Sequence, residues 1–202
     1  MYYLFILGKI IALSFPRSIS YKLAKLFDEV QTKDSSGKII SFDDAIDIIL
    51  DKIEKLKKTN NKVMFIGNGG SAGIATHQAI DYWKNGKIPA INFNDPGLLT
   101  CISNDYGYEY VFEKPIKMFS KKDDILISIS SSGKSENILN AAKAAKNIGV
   151  FVITMSGFST SNPLRKLGDL NFYIPSNAYG HVEIAHLIIS HIILDSHLKT
   201  KI

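Results

Sequence analysis

The sequence predicts an α/β fold: a three-layer sandwich in which helices cover both faces of a five-stranded parallel sheet, with further helices before it. Two observations support this prediction. From residue 61 onward, short apolar runs alternate with amphipathic segments, and such alternation is typical of parallel sheets. The first of these runs, 63–66, also enters a glycine-rich turn that leads into a helix-like segment, and α/β proteins bind ligands at such junctions.

Composition narrows the class of protein. The chain has 202 residues, of which 46% are hydrophobic, enough to bury a substantial core. The net charge is +5, but basic and acidic residues are interleaved and form no single basic stripe, so no nucleic-acid partner is expected. A single cysteine, Cys101, excludes an internal disulfide and favours a reducing, cytoplasmic setting.

The chain divides into residues 1–60, expected to form an N-terminal helical oligomerisation segment, and residues 61–198, expected to form the ligand-binding domain. Residues 1–15 are mostly apolar, and Lys9 is their only charged residue. This run is shorter than the roughly 20 residues of a transmembrane helix. We therefore expect a buried or oligomer-forming helix and no stable membrane insertion; a helix lying on a membrane surface is the alternative.

The remaining elements follow from hydrophobic spacing and turn residues. Residues 18–32 have helical spacing, a polar turn follows at 34–38, and Ser41 is expected to cap a helix that leads into the first strand. In the second domain we expect strands at 63–66, 89–93, 124–129, 150–155 and 171–175, and helices at 72–84, 106–119, 135–147, 162–167 and 182–198.

The glycine-rich turn contains Gly67, Asn68, Gly69 and Gly70 and is followed by Ser71. Glycines allow a sharp turn and a close approach of ligand to backbone, and the start of the following helix offers unpaired N–H groups. The turn therefore predicts an anion-binding site.

A second loop with this character follows the third strand. Ser130, Ser131, Ser132 and Ser135 surround a glycine at a strand-to-helix junction, and hydroxyl and N–H groups suit a phosphate ester. Alone, the loop could be a serine-rich helix cap. Because parallel strands end at the same sheet edge, we expect this serine loop and the glycine turn to lie together.

Two nucleotide-binding motifs are nearly matched and are rejected. Gly67, Gly69 and Ala72 fit the dinucleotide pattern, but the only acid after the second strand lies in a Pro-Gly turn. The Gly-Lys-Ser at 133–135 resembles the end of a phosphate-binding P-loop, but Ser128 occupies the place of its first glycine.

Histidines and acids on two helices are candidates for metal binding or proton transfer. His77 and Asp81 are four residues apart and share a helix face. On the last helix, Glu183 and His191 are eight residues apart, and nitrogen and oxygen ligands of this kind suit Zn²⁺. His191, like His186, also lies on an apolar helix, where a hydrogen-bonded core histidine is the alternative interpretation.

Together these residues resemble the SIS (sugar isomerase) domain family, and within it the isomerases of heptose 7-phosphates. The resemblance covers residues 60–198 and rests on four motifs in order: the glycine turn with His77, the segment 104–107, the serine loop, and a last helix with Glu183, His186 and His191. It implies a flavodoxin-like fold and a homotetramer with active sites between subunits.

The resemblance also implies roles for individual residues. Zinc ligands would be His77, Asp81, Glu183 and His191, with Asp81 as base and His191 as acid. Substrate contacts would come from Asn68, Gly69, Gly70, Ser71, Asn104, Asp105, Ser130, Ser131, Ser132, Ser135 and Glu183. Two positions depart from the family: Asp81 stands where it has glutamate, and Glu183 where it has glutamine.

The implied activity is interconversion of sedoheptulose 7-phosphate and glycero-manno-heptose 7-phosphate through an enediolate, for surface polysaccharide precursors. The alternative is a non-catalytic SIS protein that binds a phosphosugar or a protein partner. The two histidines and two acids favour the enzyme, and the shortened Asp81 favours the binding protein.

Overall fold

The computed structural model describes residues 2–6 and 9–199, with side chains from residue 14 onward. Within these residues the strands are β1 (Tyr2–Ile6), β2 (Lys9–Leu13), β3 (Gln31–Asp34), β4 (Ile39–Ile40), β5 (Val63–Gly67), β6 (Ala90–Asn92), β7 (Ile125–Ser130), β8 (Phe151–Ser156) and β9 (Leu170–Tyr173). The α-helices are α1 (Phe15–Leu26), α2 (Phe42–Lys57), α3 (Gly70–Lys84), α4 (Pro96–Tyr106), α5 (Glu113–Phe119), α6 (Glu136–Ile148) and α7 (Tyr179–Leu198).

The main sheet confirms the predicted α/β class. Its order is β4-β3-β9-β8-β7-β5-β6, and the five strands from β9 to β6 are parallel, as expected. The sheet has seven strands within the described part of the chain because β3 pairs antiparallel with β9, and β4 with β3. The five-stranded prediction therefore omitted two strands, β3 and β4, that extend one side of the sheet and come from the N-terminal segment.

The N-terminal segment differs most from its prediction. The helix expected over 1–15 is wrong for the described residues, because β1 and β2 pair as an antiparallel hairpin. A short apolar run fits a strand as well as a helix by periodicity, and Tyr, Phe and Ile favour strands. The helix expected over 18–32 ends earlier, because 27–29 form a 3-10 turn and the chain then enters β3.

Helix α4 was missed by the sequence interpretation, which treated 94–97 as a Pro-Gly turn. The Asp95 side chain accepts a hydrogen bond from the Leu98 N–H at 2.9 Å, and Pro96 occupies the first helical position. Both are helix-start signals. The helix expected over 106–119 is correspondingly divided into a 3-10 turn at 108–110 and α5, whose first turn holds Pro115.

The buried strands β5 and β7 contribute side chains to the core on both faces of the sheet. Val63 and Phe65 face a cluster that includes α2, α3 and α7, whereas Met64 and Ile66 face a second cluster with α5 and α6. Alternate residues of a strand point to opposite faces of the sheet. Because both faces of these apolar strands must be buried, helices cover both faces. This arrangement leaves the carboxyl ends of the parallel strands open for a site.

One fully buried histidine, His186, belongs to this core. Its Nε2 lies 3.3 Å from the Ser156 carbonyl oxygen. Burial lowers its pKa to about 4 from the ordinary value near 6.5. The ring is therefore neutral in the folded protein at pH 7, as the core interpretation of this residue expected.

The buried His186 predicts a loss of stability in weak acid. Below pH 6.5 the unfolded chain protonates this imidazole and the folded chain does not, so the free energy of unfolding falls between pH 6.5 and 4. The contribution reaches about 3 kcal/mol near pH 4. Urea unfolding of wild type and His186→Leu across this range checks it. The variant should show the shallower pH dependence, and parallel curves would contradict the prediction.

None of the α-helices within the described residues has both the length and the apolarity needed to cross a membrane.

Candidate active site

The glycine turn and the serine loop meet at the carboxyl edge of the sheet. Strands β5 and β7 are hydrogen-bonded neighbours, with Gly67 opposite Ile129 in the register. The chain leaves β5 through the glycine turn into α3, and leaves β7 through the serine loop into α6. Adjacent parallel strands therefore bring both predicted anion-binding loops to one place, as expected.

The glycine turn depends on the lack of side chains at two positions. Gly69 has φ of +54° and ψ of −122°, a backbone conformation open mainly to glycine. A Cβ at Gly67 would lie 2.5 Å from the Ser71 carbonyl oxygen. The tight turn brings the first turn of α3 directly to the end of the sheet.

The serine loop is held by its own backbone. The Gly133 N–H donates to the Ser130 carbonyl oxygen at 3.0 Å, and the Lys134 N–H donates to Ser132 Oγ at 3.3 Å. Gly133 has φ of +61°, and a Cβ there would lie 2.1 Å from Asn162 Oδ1. The loop therefore has a fixed shape that only glycine at 133 permits.

An amide pair ties the two loops together. Asn68 and Asn137 exchange two hydrogen bonds of 2.9 Å between their side-chain amides, and the Tyr108 hydroxyl donates to Asn68 Oδ1 at 3.0 Å. Asn68 was predicted to contact substrate. Its side chain is held by Asn137 and Tyr108, which sequence reasoning missed, and because Asn68 also lines the cavity its substrate contact stays a prediction.

The two loops enclose a cavity of about 290 Å³. That volume lies at the lower end of the range for small-molecule sites. The Ser131 hydroxyl is buried and makes no hydrogen bond among the described residues. The cavity is lined by Asn68, Gly69, Gly70, Ser71, Ile129, Ser130, Ser131, Ser132, Ser135, Tyr179 and Glu183.

Most predicted substrate contacts thus converge in one cavity, but Asn104 and Asp105 lie elsewhere. Both are exposed on α4, where the Asn104 amide donates to Asp105 Oδ1 at 3.0 Å. Asn104 lines a neighbouring surface depression together with Tyr108. A substrate contact by either residue stays a prediction.

The predicted histidine and acid residues form a second group, where α3 packs against α7. His77, Asp81 and His191 each offer one ligand atom, and these atoms lie within 4.8 Å of one another. His77 Nε2 is 3.0 Å from Asp81 Oδ2, and the Asn85 amide donates to Asp81 Oδ1 at 3.3 Å. Glu183, predicted both as the fourth ligand and as a substrate contact, is not part of this group and lines the cavity.

Gln78 is a residue that sequence reasoning missed. Its side chain is fully buried, and its Nε2 lies 3.0 Å from His191 Nε2. A hydrogen bond to one ring nitrogen fixes which nitrogen carries the proton and how the ring is oriented. In the sequence, Gln78 could be noticed only as a polar residue next to His77 on the buried face of α3. Residue spacing alone could not show that its partner is His191.

The His77, Asp81 and His191 group fits a zinc ion by its chemistry. Two imidazoles and one carboxylate are a common ligand set for catalytic Zn²⁺, which keeps a further position open for water or substrate. The Gln78 amide nitrogen can only donate a hydrogen bond, so His191 Nε2 is the acceptor in this contact.

Another cavity, of about 540 Å³, lies at the opposite edge of the sheet. Its walls include Lys52, Lys146 and Phe151, at the ends of helices and the beginnings of strands. Ligands of parallel sheets bind beyond the carboxyl ends of the strands, so the smaller cavity at the serine loop is the better candidate active site.

Comparison with known proteins agrees with this geometry. The SIS domain family matches residues 23–157. The phosphoheptose isomerase of Cytophaga hutchinsonii is 39% identical over 150 residues, which cover 69% of this chain and 78% of that protein. The phosphoheptose isomerase of Helicobacter hepaticus is 36% identical over 167 residues, which cover 80% and 85% of the two chains.

A solved structure is similar over almost the whole chain. The phosphoheptose isomerase from Francisella tularensis has a TM-score of 0.77 and 26% sequence identity, covering 94% of this chain and 100% of that one. The sequence matches, the fold and the paired ligand-binding loops therefore agree, and the chain belongs to the SIS domain family, among the phosphoheptose isomerases.

Proposed function

We propose that this protein is an isomerase that interconverts sedoheptulose 7-phosphate and glycero-manno-heptose 7-phosphate. The observation that carries the proposal is the cavity in which the serine loop and the glycine turn meet. Its relatives named phosphoheptose isomerase, at 39% and 36% identity, support the same reaction. The products would serve as heptose precursors for surface polysaccharides.

The serine loop is proposed to hold the phosphate group. Ser130, Ser132 and Ser135 line the cavity at the start of α6, where hydroxyls, backbone N–H groups and the positive helix end favour an anion. The unpaired Ser131 hydroxyl adds a further donor. Asn68, Gly69 and Gly70 leave room for the sugar chain to approach the backbone.

Aldose–ketose exchange requires one group to take a proton from the carbon beside the carbonyl and another to protonate the carbonyl oxygen. By the family resemblance, Asp81 is the base and His191 the acid. Both lie in the group between α3 and α7, where Gln78 orients His191. His77, Asp81 and His191 would also hold a zinc ion, which would supply Lewis-acid stabilisation of the oxyanion.

Two further proposals follow from the resemblance. The site residues divide into two groups within one chain, consistent with a homotetramer in which active sites form between subunits. The exposed free thiol of Cys101 is consistent with a reducing, cytoplasmic location.

Incubation of the purified protein with sedoheptulose 7-phosphate, with Zn²⁺ or with a chelator, tests the function. We expect aldose 7-phosphate to appear in at least one condition. If the protein binds the phosphosugar but converts none of it in either condition, it is a non-catalytic phosphosugar-binding protein and the proposal fails.

The phosphate site gives a quantitative prediction. Ser132→Ala is expected to weaken sedoheptulose 7-phosphate binding by about 1 to 3 kcal/mol, because one hydrogen bond to a charged oxygen is lost. Isothermal titration calorimetry measures the change, with Ser20→Ala, an exposed position on α1, as the control. Equal affinity of Ser132→Ala and wild type would show that the phosphate binds elsewhere.

A further inference from the structure

A further cavity lies between the turn that joins β3 to β4 and the loop that follows β8. Its volume is about 290 Å³, and its walls come from residues 33–37 and from residues between 160 and 168. Among the described residues, none lines both this cavity and the serine-loop cavity. The two cavities are therefore separate sites, and this one is called the hairpin cavity below.

Basic side chains predominate in the lining of the hairpin cavity. Lys33, Arg165 and Lys166 contribute three positive charges, and Asp34 contributes one negative charge. The ammonium groups of Lys33 and Lys166 form no ion pair within the part of the chain that the structure describes. The lining thus carries an excess of two positive charges, which favours an anionic ligand.

The Asp34 carboxylate is engaged within its own turn. Its Oδ1 accepts hydrogen bonds from the Ser36 hydroxyl at 2.6 Å, from the Ser36 N–H at 2.9 Å and from the Lys38 N–H at 3.0 Å. The Ser36 hydroxyl, together with these N–H groups, lowers the pKa of Asp34. The negative charge of Asp34 is therefore stabilised by the turn and does not neutralise the bases across the cavity.

The Arg165 guanidinium is held in a fixed orientation. Its Nη1 donates to the Thr160 carbonyl oxygen at 3.0 Å, its Nη2 donates to Gln31 Oε1 at 2.6 Å, and its plane lies 4.1 Å from the centre of the Tyr173 ring. These two bonds use two of the five N–H donors of the group. A guanidinium that is already oriented loses little conformational freedom when it binds two oxygens of a phosphate.

We propose that the hairpin cavity is a binding site for a phosphate group, which is presented either by inorganic phosphate or by a phosphorylated small molecule. A phosphate ester carries a charge between about −1.5 and −2 at pH 7, which matches the excess positive charge of the lining. Arg165 contacts phosphate oxygens through its remaining N–H groups, and Lys33 and Lys166 neutralise the charge. The site does not depend on the isomerase function proposed above.

The hairpin cavity is joined to the serine loop by hydrogen bonds. Asn162, which lines the cavity, accepts from the Arg165 N–H at 3.1 Å, and the Leu164 N–H donates to the Gly133 carbonyl oxygen at 3.1 Å. A ligand in the serine loop could therefore be sensed at Arg165 without binding there. An experiment on Arg165 has to separate these two events.

The test uses NMR of the full chain labelled with ¹³C at the guanidinium carbon of arginine. Arg17 and Arg165 are the two arginines of the sequence, so two signals are expected, and the exposed Arg17 serves as the internal control. Inorganic phosphate and sedoheptulose 7-phosphate are titrated separately, with sodium chloride of equal ionic strength as reference. We expect at least one of them to shift the Arg165 signal saturably while the Arg17 signal stays in place. The titration that does so identifies the source of the phosphate group.

Variants locate the binding event. Lys33→Gln and Lys166→Gln are expected to weaken the affinity measured at Arg165 about threefold to tenfold, because each removes one charge contact at a partly exposed site. Lys143→Gln, on the exposed side of α6, makes the same change of charge outside both cavities and should keep the wild-type affinity. Ser132→Ala should also keep it, since Ser132 lines the other cavity.

Three results would overturn the proposal. The first is an Arg165 signal that neither anion shifts. The second is a shift that sodium chloride reproduces or that Arg17 shares, which would indicate general ionic screening. The third is an affinity at Arg165 that falls in Ser132→Ala and not in the two lysine variants, which would place the anion in the serine loop. Turnover of sedoheptulose 7-phosphate enters none of these readouts, so the hairpin cavity and the isomerase function are judged independently.

Discussion

The His191→Gln variant is expected to convert sedoheptulose 7-phosphate about 10² to 10⁴ times more slowly than wild type, because it loses a positioned acid–base group. His191 is the member of the histidine group that lies on α7, and its ring contacts the buried Gln78. Glutamine can keep a hydrogen bond to Gln78 but cannot exchange a proton at neutral pH. Steady-state kinetics with a coupled assay for the aldose measure kcat.

A second histidine on the same helix provides the control. His181 also lies on α7, outside both the cavity lining and the histidine group. His181→Gln should keep wild-type kcat. If His191→Gln keeps it too, the histidine group takes no part in the reaction.

Replacement of Asp124 by alanine is expected to lower the free energy of unfolding by about 3 to 5 kcal/mol, the usual cost of removing one member of a buried charged network. The Asp124 side chain is fully buried immediately before β7. Its carboxylate accepts from the Asn61 amide at 2.9 Å, from the Lys62 and Lys121 backbone N–H groups at 3.0 Å each, and from Lys62 Nζ at 2.7 Å.

Urea unfolding of Asp124→Ala measures this loss, with Asp51→Ala on the exposed face of α2 as the control. The backbone N–H groups at 62 and 121 lose their carboxylate acceptor in the variant. A loss below about 1 kcal/mol would mean that water replaces the carboxylate at little cost.

The central domain was predictable because its signals are local and agree with one another. The apolar runs that became β5 and β7 are each bounded by polar or glycine residues, and the amphipathic segments between them have helical spacing. The apolar runs, the residues that bound them and the helical spacing between them therefore all indicated the same fold. The SIS resemblance, confirmed by the match over 23–157, agrees with this interpretation.

The N-terminal segment was not predictable for a physical reason. Strand β3 exists because Gln31 to Asp34 pair with β9, whose residues follow about 140 positions later. The apolar residues before β3 have helical spacing, and nothing within 18–32 identifies the distant strand with which β3 pairs. Tertiary pairing overrides local propensity in such a strand.

The site was predicted in part. Sequence spacing placed His77 and Asp81 on one helix face, and they do contact each other. The resemblance assigned Glu183 both to the metal ligands and to the substrate contacts, and the described structure puts its carboxylate in the cavity, against Gly70. The contact of Gln78 with His191 joins two helices, so only the packing of α3 against α7 reveals it.

The two positions that depart from the family, Asp81 and Glu183, lie in different parts of the site. The Asp81 side chain is one methylene shorter than the glutamate of the family. It is nevertheless long enough to contact His77 on the same helix. Glu183 adds a carboxylate to the cavity that holds the serine loop.

The central claim is that the protein interconverts a ketose and an aldose 7-phosphate. The most direct test follows the reaction by NMR from both directions, starting with sedoheptulose 7-phosphate in one sample and glycero-manno-heptose 7-phosphate in the other. An isomerase brings both samples to the same ratio of the two sugars, and we predict this result. If wild-type protein that binds both sugars leaves each sample unchanged, the claim is contradicted.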